Sequence, residues 1–249
     1  MTLLPFPPTT KPVLVWWSLR KTCQKTISWI EYSVLVDKYG NFYPSYPMAT
    51  DDLRQKALAI FRKHGGLLRT KDAIRLGIHP RTLYSMRDGG ELRQVSRGYY
   101  RLSDLPQLGN PDLVAVALAM PKGVVCLISA LSYHGIGTQI PRVVDIAIDK
   151  DMKRPRIDYP PIRTFWFSGP AFKSGIQVHD LDGVPVKVYS PAKTVADCFK
   201  CRNKIGLDVA IEALREVRRS RRAMVDELFQ MARTCRVANV MRPYLEAMS

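Results

Sequence analysis

The fold class is most visible in residues 70–86, which read TKDAIRLGIHPRTLYSM. Thr70 is a residue type that caps helix N-termini, and Gly77 ends the short helix that it begins. A second helix begins at Pro80, because proline fits the first helical position, where no backbone N–H is needed. Two helices joined by a glycine-containing turn predict a helix-turn-helix.

The residues on either side complete a small domain. One face of an upstream helix is formed by four apolar residues, Leu53, Ala57, Ile60 and Phe61. Downstream, two extended runs at 92–95 and 99–102 are joined through Ser96-Arg97-Gly98, and together they predict a β-hairpin. Three helices followed by a hairpin predict a winged helix-turn-helix over residues 49–104.

Candidate DNA-contacting residues follow from this order of elements. The third helix of such a unit lies in the major groove, and its first residues face base edges. Those residues here are Arg81, Thr82, Tyr84 and Ser85. Contacts to the DNA backbone or the minor groove are predicted for Arg69, Thr70, Arg93 and Arg97. Any single one of these arginines would serve equally well as a solvated surface charge.

The charge of the chain supports a nucleic-acid partner. The 249 residues carry 38 Lys and Arg against 22 Asp and Glu, a formal net charge of +16. Residues 51–104 hold 12 basic and 6 acidic residues, and residues 198–249 hold 11 and 6, whereas residues 105–197 hold 10 and 8. Nucleic acid is the commonest partner of such an excess, followed by an anionic membrane surface.

The composition also indicates in which cellular compartment the protein is expected. No stretch reaches the ~20 apolar residues of a membrane helix, so no membrane segment is predicted. Five cysteines are few and odd in number, which favours a reducing cytoplasm over a disulfide framework. Residues 1–48 are rich in proline and aromatic residues and lack a sustained period. We expect a poorly ordered extension there, or an upstream start that precedes a natural initiator at Met48.

Residues 105–249 predict a mixed α/β domain with a helical C-terminal tail. Strands are predicted at 124–128, 143–148, 162–167 and 184–189. Helices are predicted at 111–119, 129–133, 191–200, 207–219, 224–233 and 237–247, with Ser129 and Ser190 as N-caps. The whole chain is therefore predicted to be an α+β protein.

No catalytic, metal or cofactor site is predicted in this second domain. A nucleotidyltransferase needs two carboxylates two residues apart on a strand, but the partner position of Asp145 is Ala147. A nuclease built from Asp112 and Asp151 is disfavoured, since a helix N-terminal charge and a loop explain these two residues. His134 has no neighbouring nucleophile in the pattern, so a structural histidine is the simpler interpretation.

Three further patterns have structural explanations. Cys198 and Cys201 form a lone CxxC, which is short of the four ligands of tetrahedral zinc. Lys193 and Asp197 are spaced i, i+4 and predict a surface ion pair. Basic clusters at 150–163 and 215–222 contact DNA or an acidic partner, or they are solvated faces.

Six stretches carry a family pattern. They read HGGLLRTKDA (64–73), GIHPRTLY (77–84), GEL (90–92), SRGYYRL (96–102), SALSYHG (129–135) and SPAKTVAD (190–197). The first four resemble the N-terminal domain of AbiEi-family antitoxins from type IV toxin–antitoxin systems, and the last two resemble that family's C-terminal domain. The resemblance spans roughly residues 49–219 and leaves 1–48 unmatched.

This resemblance implies a bacterial transcriptional autorepressor that binds double-stranded DNA at inverted repeats in its own promoter. Inverted repeats imply two copies of the protein on one site. The partner implied is a nucleotidyltransferase-like toxin, which the antitoxin counteracts without necessarily binding it stably. From the residues alone, two other classes stay open: a DNA-processing enzyme with a nuclease-like second domain, and a winged-helix scaffold for protein interactions.

Overall fold

The structure is a computed structural model that describes residues 34–36, 42–44, 51–153 and 156–247. The contacts within the chain divide it into two compact units, Met1–Met48 and Ala49–Ser249. In the first unit, strands β1 (Val34–Val36) and β2 (Phe42–Pro44) pair antiparallel. The expected lack of order over residues 1–48 otherwise lies outside the described residues.

The second unit begins with the helix–hairpin segment, residues 51–102. It contains helices α1 (Asp51–Lys63), α2 (Thr70–Arg75) and α3 (Pro80–Asp88), and strands β3 (Leu67–Arg69), β4 (Leu92–Ser96) and β5 (Tyr99–Leu102). The strands form an antiparallel sheet in the order β3-β5-β4. Three helices followed by a hairpin were predicted correctly, whereas β3 is an additional strand.

One apolar cluster holds the helix–hairpin segment together. Phe61 of α1 and both Leu83 and Met86 of α3 are fully buried in it. Leu92 and Leu102 are register partners across the hairpin and close the cluster from the sheet side. Because Leu83 and Met86 lie three residues apart, they share one helix face, and the opposite face of α3 is left outside.

The second body follows and runs from helix α4 to helix α11. Its helices are α4 (Pro111–Ala119), α5 (Leu127–Tyr133), α6 (Pro170–Lys173), α7 (Pro191–Lys200), α8 (Arg202–Ile205), α9 (Leu207–Arg219), α10 (Val225–Thr234) and α11 (Ala238–Glu246). Its strands are β6 (Val124–Val125), β7 (Val144–Asp149), β8 (Ile162–Phe167), β9 (Ile176–Leu181) and β10 (Val184–Tyr189). The strand order is β8-β7-β6-β10-β9, with parallel and antiparallel pairs mixed.

Helices cover both faces of this five-stranded sheet. Side chains alternate between the faces of a strand, and accordingly Val125 and Ile146 pack into one cluster while Val124 and Ala147 pack into another. The first cluster includes residues of α4, and the second includes residues of α7, α9, α10 and α11. The predicted α+β class is confirmed.

Several predicted boundaries in the second body were wrong. The strand predicted over 124–128 ends at Val125, and α5 already begins at Leu127. Ser129 therefore lies inside α5 and does not cap it; its buried hydroxyl accepts from Asp145 N at 2.8 Å and donates to Val143 O at 3.2 Å. The elements α6, α8 and β9 were not predicted.

The helix–hairpin segment packs against the α4 side of the second body. Leu67 of β3 and Val95 of β4 both contact the apolar cluster that includes α4. Gly109, in the connection between the two parts, donates its N–H to Asp182 Oδ2 at 3.2 Å. Among the described helices, none combines the length and the apolar character that crossing a membrane requires.

Candidate nucleic-acid interface

Helix α3 begins as the sequence predicts. Pro80 occupies its first position, and the His79 side chain caps the helix by accepting a hydrogen bond from Arg81 N at 3.2 Å. Arg81 and Tyr84 are exposed on the outer side of the helix. The cap and the buried Leu83 fix the direction of α3, so these two side chains are presented to the outside of the segment.

Thr82 does not belong to this exposed set. Only 6% of the residue is exposed, so its prediction as a base-contacting residue is corrected. The reason is the helical period: Thr82 lies four residues before the buried Met86 and next to Leu83. Threonine carries a methyl group that packs in a core, and the i, i+4 spacing was the signal that sequence reasoning overlooked.

Ser85 is half-buried and connected to α1. Arg54 donates from Nη2 to Ser85 Oγ at 3.0 Å, and its Nη1 lies 3.9 Å from Glu91 Oε1. One guanidinium thus links α1, α3 and the start of the hairpin. Sequence reasoning missed Arg54 because its partners lie 31 and 37 positions further along the chain.

A second arginine on α3 was also missed. The guanidinium carbon of Arg87 lies 5.2 Å from the centroid of the Tyr84 ring, and its Nε donates to Asp88 Oδ1 at 2.8 Å. A cation over an aromatic face restrains both side chains. Tyr84 therefore lies on the outer face of α3 beside a positive charge.

The start of α2 is attached to the tip of the hairpin. Thr70 donates from its backbone N at 2.8 Å and from Oγ1 at 3.2 Å to the carbonyl oxygen of Gly98. Thr70 is the first residue of α2, and the cap position belongs to Arg69, which makes no side-chain cap bond. The predicted capping role of Thr70 was therefore wrong, and its hydroxyl already has a partner. Arg69 is exposed and lies 5.7 Å from the centroid of the Tyr99 ring.

The two hairpin arginines occupy different places. Arg97 is exposed in the turn between β4 and β5. Arg93 is exposed on the face of the sheet opposite to the buried Leu92, where it lines a cleft shared with Asp112 and Ala115 of α4. The structure thus groups Arg69 and Arg97 near the start of α2 and the hairpin tip, and it places Arg93 towards the second body.

Asp145, the carboxylate considered for metal chemistry, is fully buried and paired. Arg163 donates from Nε to Oδ1 at 2.7 Å and from Nη2 to Oδ2 at 3.1 Å. Burial raises the pKa of Asp145, and the Arg163 guanidinium opposes this rise. Both carboxylate oxygens accept hydrogen bonds from one guanidinium, so this side chain holds β7 to β8 from a buried position.

The prediction that Lys193 and Asp197 form a surface ion pair was wrong. Both residues lie on α7, and their side chains are completely buried and in direct contact. The Lys193 ammonium also lies 4.0 Å from the centroid of the Tyr189 ring, and Cys235, directly after α10, donates from Sγ to Asp197 Oδ1 at 3.4 Å. Burial raises the pKa of Asp197, and the positive charge of Lys193 opposes the rise. The pair is a core element that connects α7 to its neighbours.

His134 has the structural role that was predicted. Its Nε2 lies 2.7 Å from the carbonyl oxygen of Tyr189, and burial lowers its pKa below the ordinary value of 6.5. Burial raises the pKa of the buried Cys198 well above its usual range, and it also raises the pKa of the half-buried Cys201. No group of three or more His, Cys, Asp or Glu that could hold a metal ion occurs in the part of the chain that the structure describes.

These elements define an α+β protein whose short helix–hairpin segment exposes arginine and tyrosine on one helix and arginine at the hairpin tip. A family model described as "Transcriptional regulator, AbiEi antitoxin" matches residues 55–103, from α1 to the end of the hairpin. The match confirms the resemblance to AbiEi antitoxin regulators over these residues. Residues 129–135 and 190–197, which also carry the resemblance, lie beyond the match. No curated protein matches the chain.

Proposed function

We propose that residues 49–104 form a winged helix-turn-helix that binds double-stranded DNA, and that the chain is an autorepressor and antitoxin. One observation carries the proposal. The AbiEi regulator match falls on the segment in which α3 buries Leu83 and Met86 while Arg81 and Tyr84 remain exposed. A short helix anchored on one side and polar on the other is the geometry that a major-groove reading helix needs.

The exposed residues divide into two roles. Arg81, in the first turn of α3, donates two parallel hydrogen bonds to the O6 and N7 atoms of a guanine, the commonest specific arginine contact. Tyr84 and Ser85 contact a neighbouring base edge or phosphate from the same side of the helix. Arg69 and Arg97 contact phosphates on either side of the groove, and their contacts position the segment on any sequence.

Thr70, Thr82 and Arg93 are left out of the proposed DNA contacts. Thr82 is buried, and the hydroxyl of Thr70 is bound to the hairpin tip. Arg93 lies in the cleft beside α4, on the far side of the hairpin sheet from α3. Each of the three therefore supports the shape of the segment or serves another purpose.

Residues 105–249, which contain the second body, are proposed as the antitoxin part. Its functional partner is a nucleotidyltransferase-like toxin, which the family resemblance implies. Because the operator DNA lies in the bacterial cytoplasm, the chain is proposed to act there. A catalytic role for this body is disfavoured, because Asp145 has both carboxylate oxygens bound to Arg163 in a closed core position. An enzyme of this kind needs carboxylates that are open to metal and substrate.

A base-selection experiment tests the reading role of α3. The native promoter and variants with each base pair exchanged are titrated with the wild-type chain and with Arg81→Ala. We expect wild type to prefer one guanine per half-site by about 1–3 kcal/mol, and Arg81→Ala to lose the preference at that position alone. The half-sites should be spaced by about one helical turn, ~10 bp, or a multiple of it.

Arg242→Ala is the matched control, because Arg242 is an exposed arginine on α11, far along the chain from the segment. It should keep the full base preference. Unchanged discrimination by Arg81→Ala would remove the base-reading role from α3. Absence of any preference in the wild type would remove the repressor function itself.

A further inference from the structure

A cleft lies between the hairpin of the helix–hairpin segment and helix α4. Its volume is about 460 Å³, which falls in the size range of small-molecule sites. The hairpin wall carries Arg93 of β4 and Arg101 of β5, and the opposite wall carries Asp112 of α4. The proposed DNA contacts use none of these three side chains.

The two arginines form an unusual pair. Arg93 and Arg101 are register partners across the antiparallel hairpin, so their side chains rise from the same face of the sheet about 5 Å apart at their bases. Like charges directly opposite each other in a sheet are destabilising. Neither arginine makes an ion pair with another residue in the described part of the chain. Two adjacent guanidinium groups with free donors are suited to a phosphate, which accepts bidentate hydrogen bonds.

The rest of the cleft favours a ligand larger than phosphate. Tyr159 lines it, and because 70% of this residue is exposed, its ring can stack on a planar base. Asp112 repels a bare anion, but a carboxylate opposite a phosphate site accepts hydrogen bonds from ribose hydroxyls. Leu105 and Leu108 give the cleft an apolar floor, and Gln107 adds an amide for a base edge.

We propose that this cleft binds a nucleotide, with its phosphate on Arg93 and Arg101, its ribose at Asp112 and its base against Tyr159. Leu92 and Leu102 pack towards α3 from one face of the hairpin sheet. Arg93 and Arg101 project from the opposite face, so the site is separate from the proposed DNA-reading side of α3. A ligand here touches both the hairpin and the second body, so it bridges the DNA-binding part and the antitoxin part of the chain.

Calorimetric titration of the full chain, without DNA, tests the proposal. The probes are AMP, ATP and inorganic phosphate at low ionic strength. We expect one nucleotide per chain and weaker binding of inorganic phosphate. Arg93→Gln and Arg101→Gln should each weaken nucleotide binding about tenfold, since each removes a charge-assisted contact. Tyr159→Ala should weaken the nucleotides and leave inorganic phosphate unaffected.

Arg242→Gln makes the same change of charge on α11 and should bind nucleotides like wild type. Thermal unfolding of each variant verifies that the fold is retained. No heat with either nucleotide, equal affinity for phosphate and nucleotides, or full affinity in both arginine variants would each overturn the site. Loss of duplex DNA binding in Arg93→Gln without nucleotide binding in the wild type would instead assign the arginine pair to DNA. The base-selection result for Arg81→Ala is unaffected by any of these outcomes.

Discussion

The hydroxyl of Ser85 shows how one hydrogen bond determines what a side chain offers to a partner. Arg54 Nη2 donates to Ser85 Oγ, so the serine oxygen is already an acceptor. A serine hydroxyl has one proton and two lone pairs, and its own proton is directed away from the guanidinium. At the proposed interface, Ser85 is therefore a donor, and it selects an acceptor on the DNA.

Removal of this donor gives a prediction. Ser85→Ala should weaken operator binding roughly fivefold, corresponding to about 1 kcal/mol for a single neutral hydrogen bond. Arg54→Met should also weaken binding, because Ser85 then loses its fixed orientation. Fluorescence anisotropy with a labelled operator duplex measures both effects. Ser132→Ala, at an exposed serine of α5, is the control and should bind normally. Wild-type affinity in Ser85→Ala would exclude Ser85 from the interface.

For single residues, the spacing along a helix predicted which side chains are exposed, whereas contacts between residues far apart in the sequence were not predicted. The alternation of Arg81, Leu83, Tyr84 and Met86 between outside and inside follows from the helical period and was predictable. The burial of Thr82 followed from the same period but was masked by its polar hydroxyl. The bond between Arg54 and Ser85 was not predictable, because it depends on how α1 packs across α3.

Helix α7 shows what burial does to an ion pair. Lys193 and Asp197 have the same four-residue spacing as the exposed Asp52 and Lys56 of α1, whose Nζ and Oδ2 atoms lie 2.7 Å apart. The exposed pair is solvated and contributes little. The buried pair sits between aromatic rings in a core, where a charge without its partner is strongly destabilising.

We expect the two ion pairs to differ in how much they contribute to the free energy of unfolding. Lys193→Met should lower the free energy of unfolding by about 3–5 kcal/mol, because it leaves the Asp197 carboxyl buried and unpaired. Lys56→Met should lower it by less than about 1 kcal/mol. The double variant Lys193→Met with Asp197→Leu should recover most of the loss, since no buried charge remains. Urea unfolding measures all three. Equal, small losses in the two single variants would contradict the claim that burial makes the α7 pair necessary for stability.

Elements were predictable where their signals were local. Eight of the ten elements predicted in the second body and its tail agree with the structure to within one residue at each end, among them α4, β8, β10, α7 and α9. Strand β9 was missed, although Asp182 and Gly183 both have positive φ and form the Asp-Gly turn typical of a two-residue hairpin. The burial of α7 also had a signal, since small and apolar residues surround Lys193 on every side of that helix. Spacing alone does not separate a buried pair from a surface one.

At the scale of the whole molecule, two observations support the proposed DNA partner. The net charge of +16 and the AbiEi regulator match both favour DNA. The strand order of the sheet, the packing of the hairpin against α4 and the cleft between them depend on long-range contacts. None of these was predictable from the sequence.

The salt dependence of operator binding tests the central claim most directly. Anisotropy titrations of the full chain with its promoter duplex are repeated over a series of salt concentrations. The logarithm of the association constant should fall linearly with the logarithm of the salt concentration, with a slope of about −0.9 per phosphate contact. The promoter should be preferred at least tenfold over an unrelated duplex. Arg97→Ala should flatten the slope by about one unit without changing the sequence preference. Salt-insensitive binding, or equal affinity for promoter and unrelated DNA, would contradict the assignment of the helix–hairpin segment as a sequence-specific DNA reader.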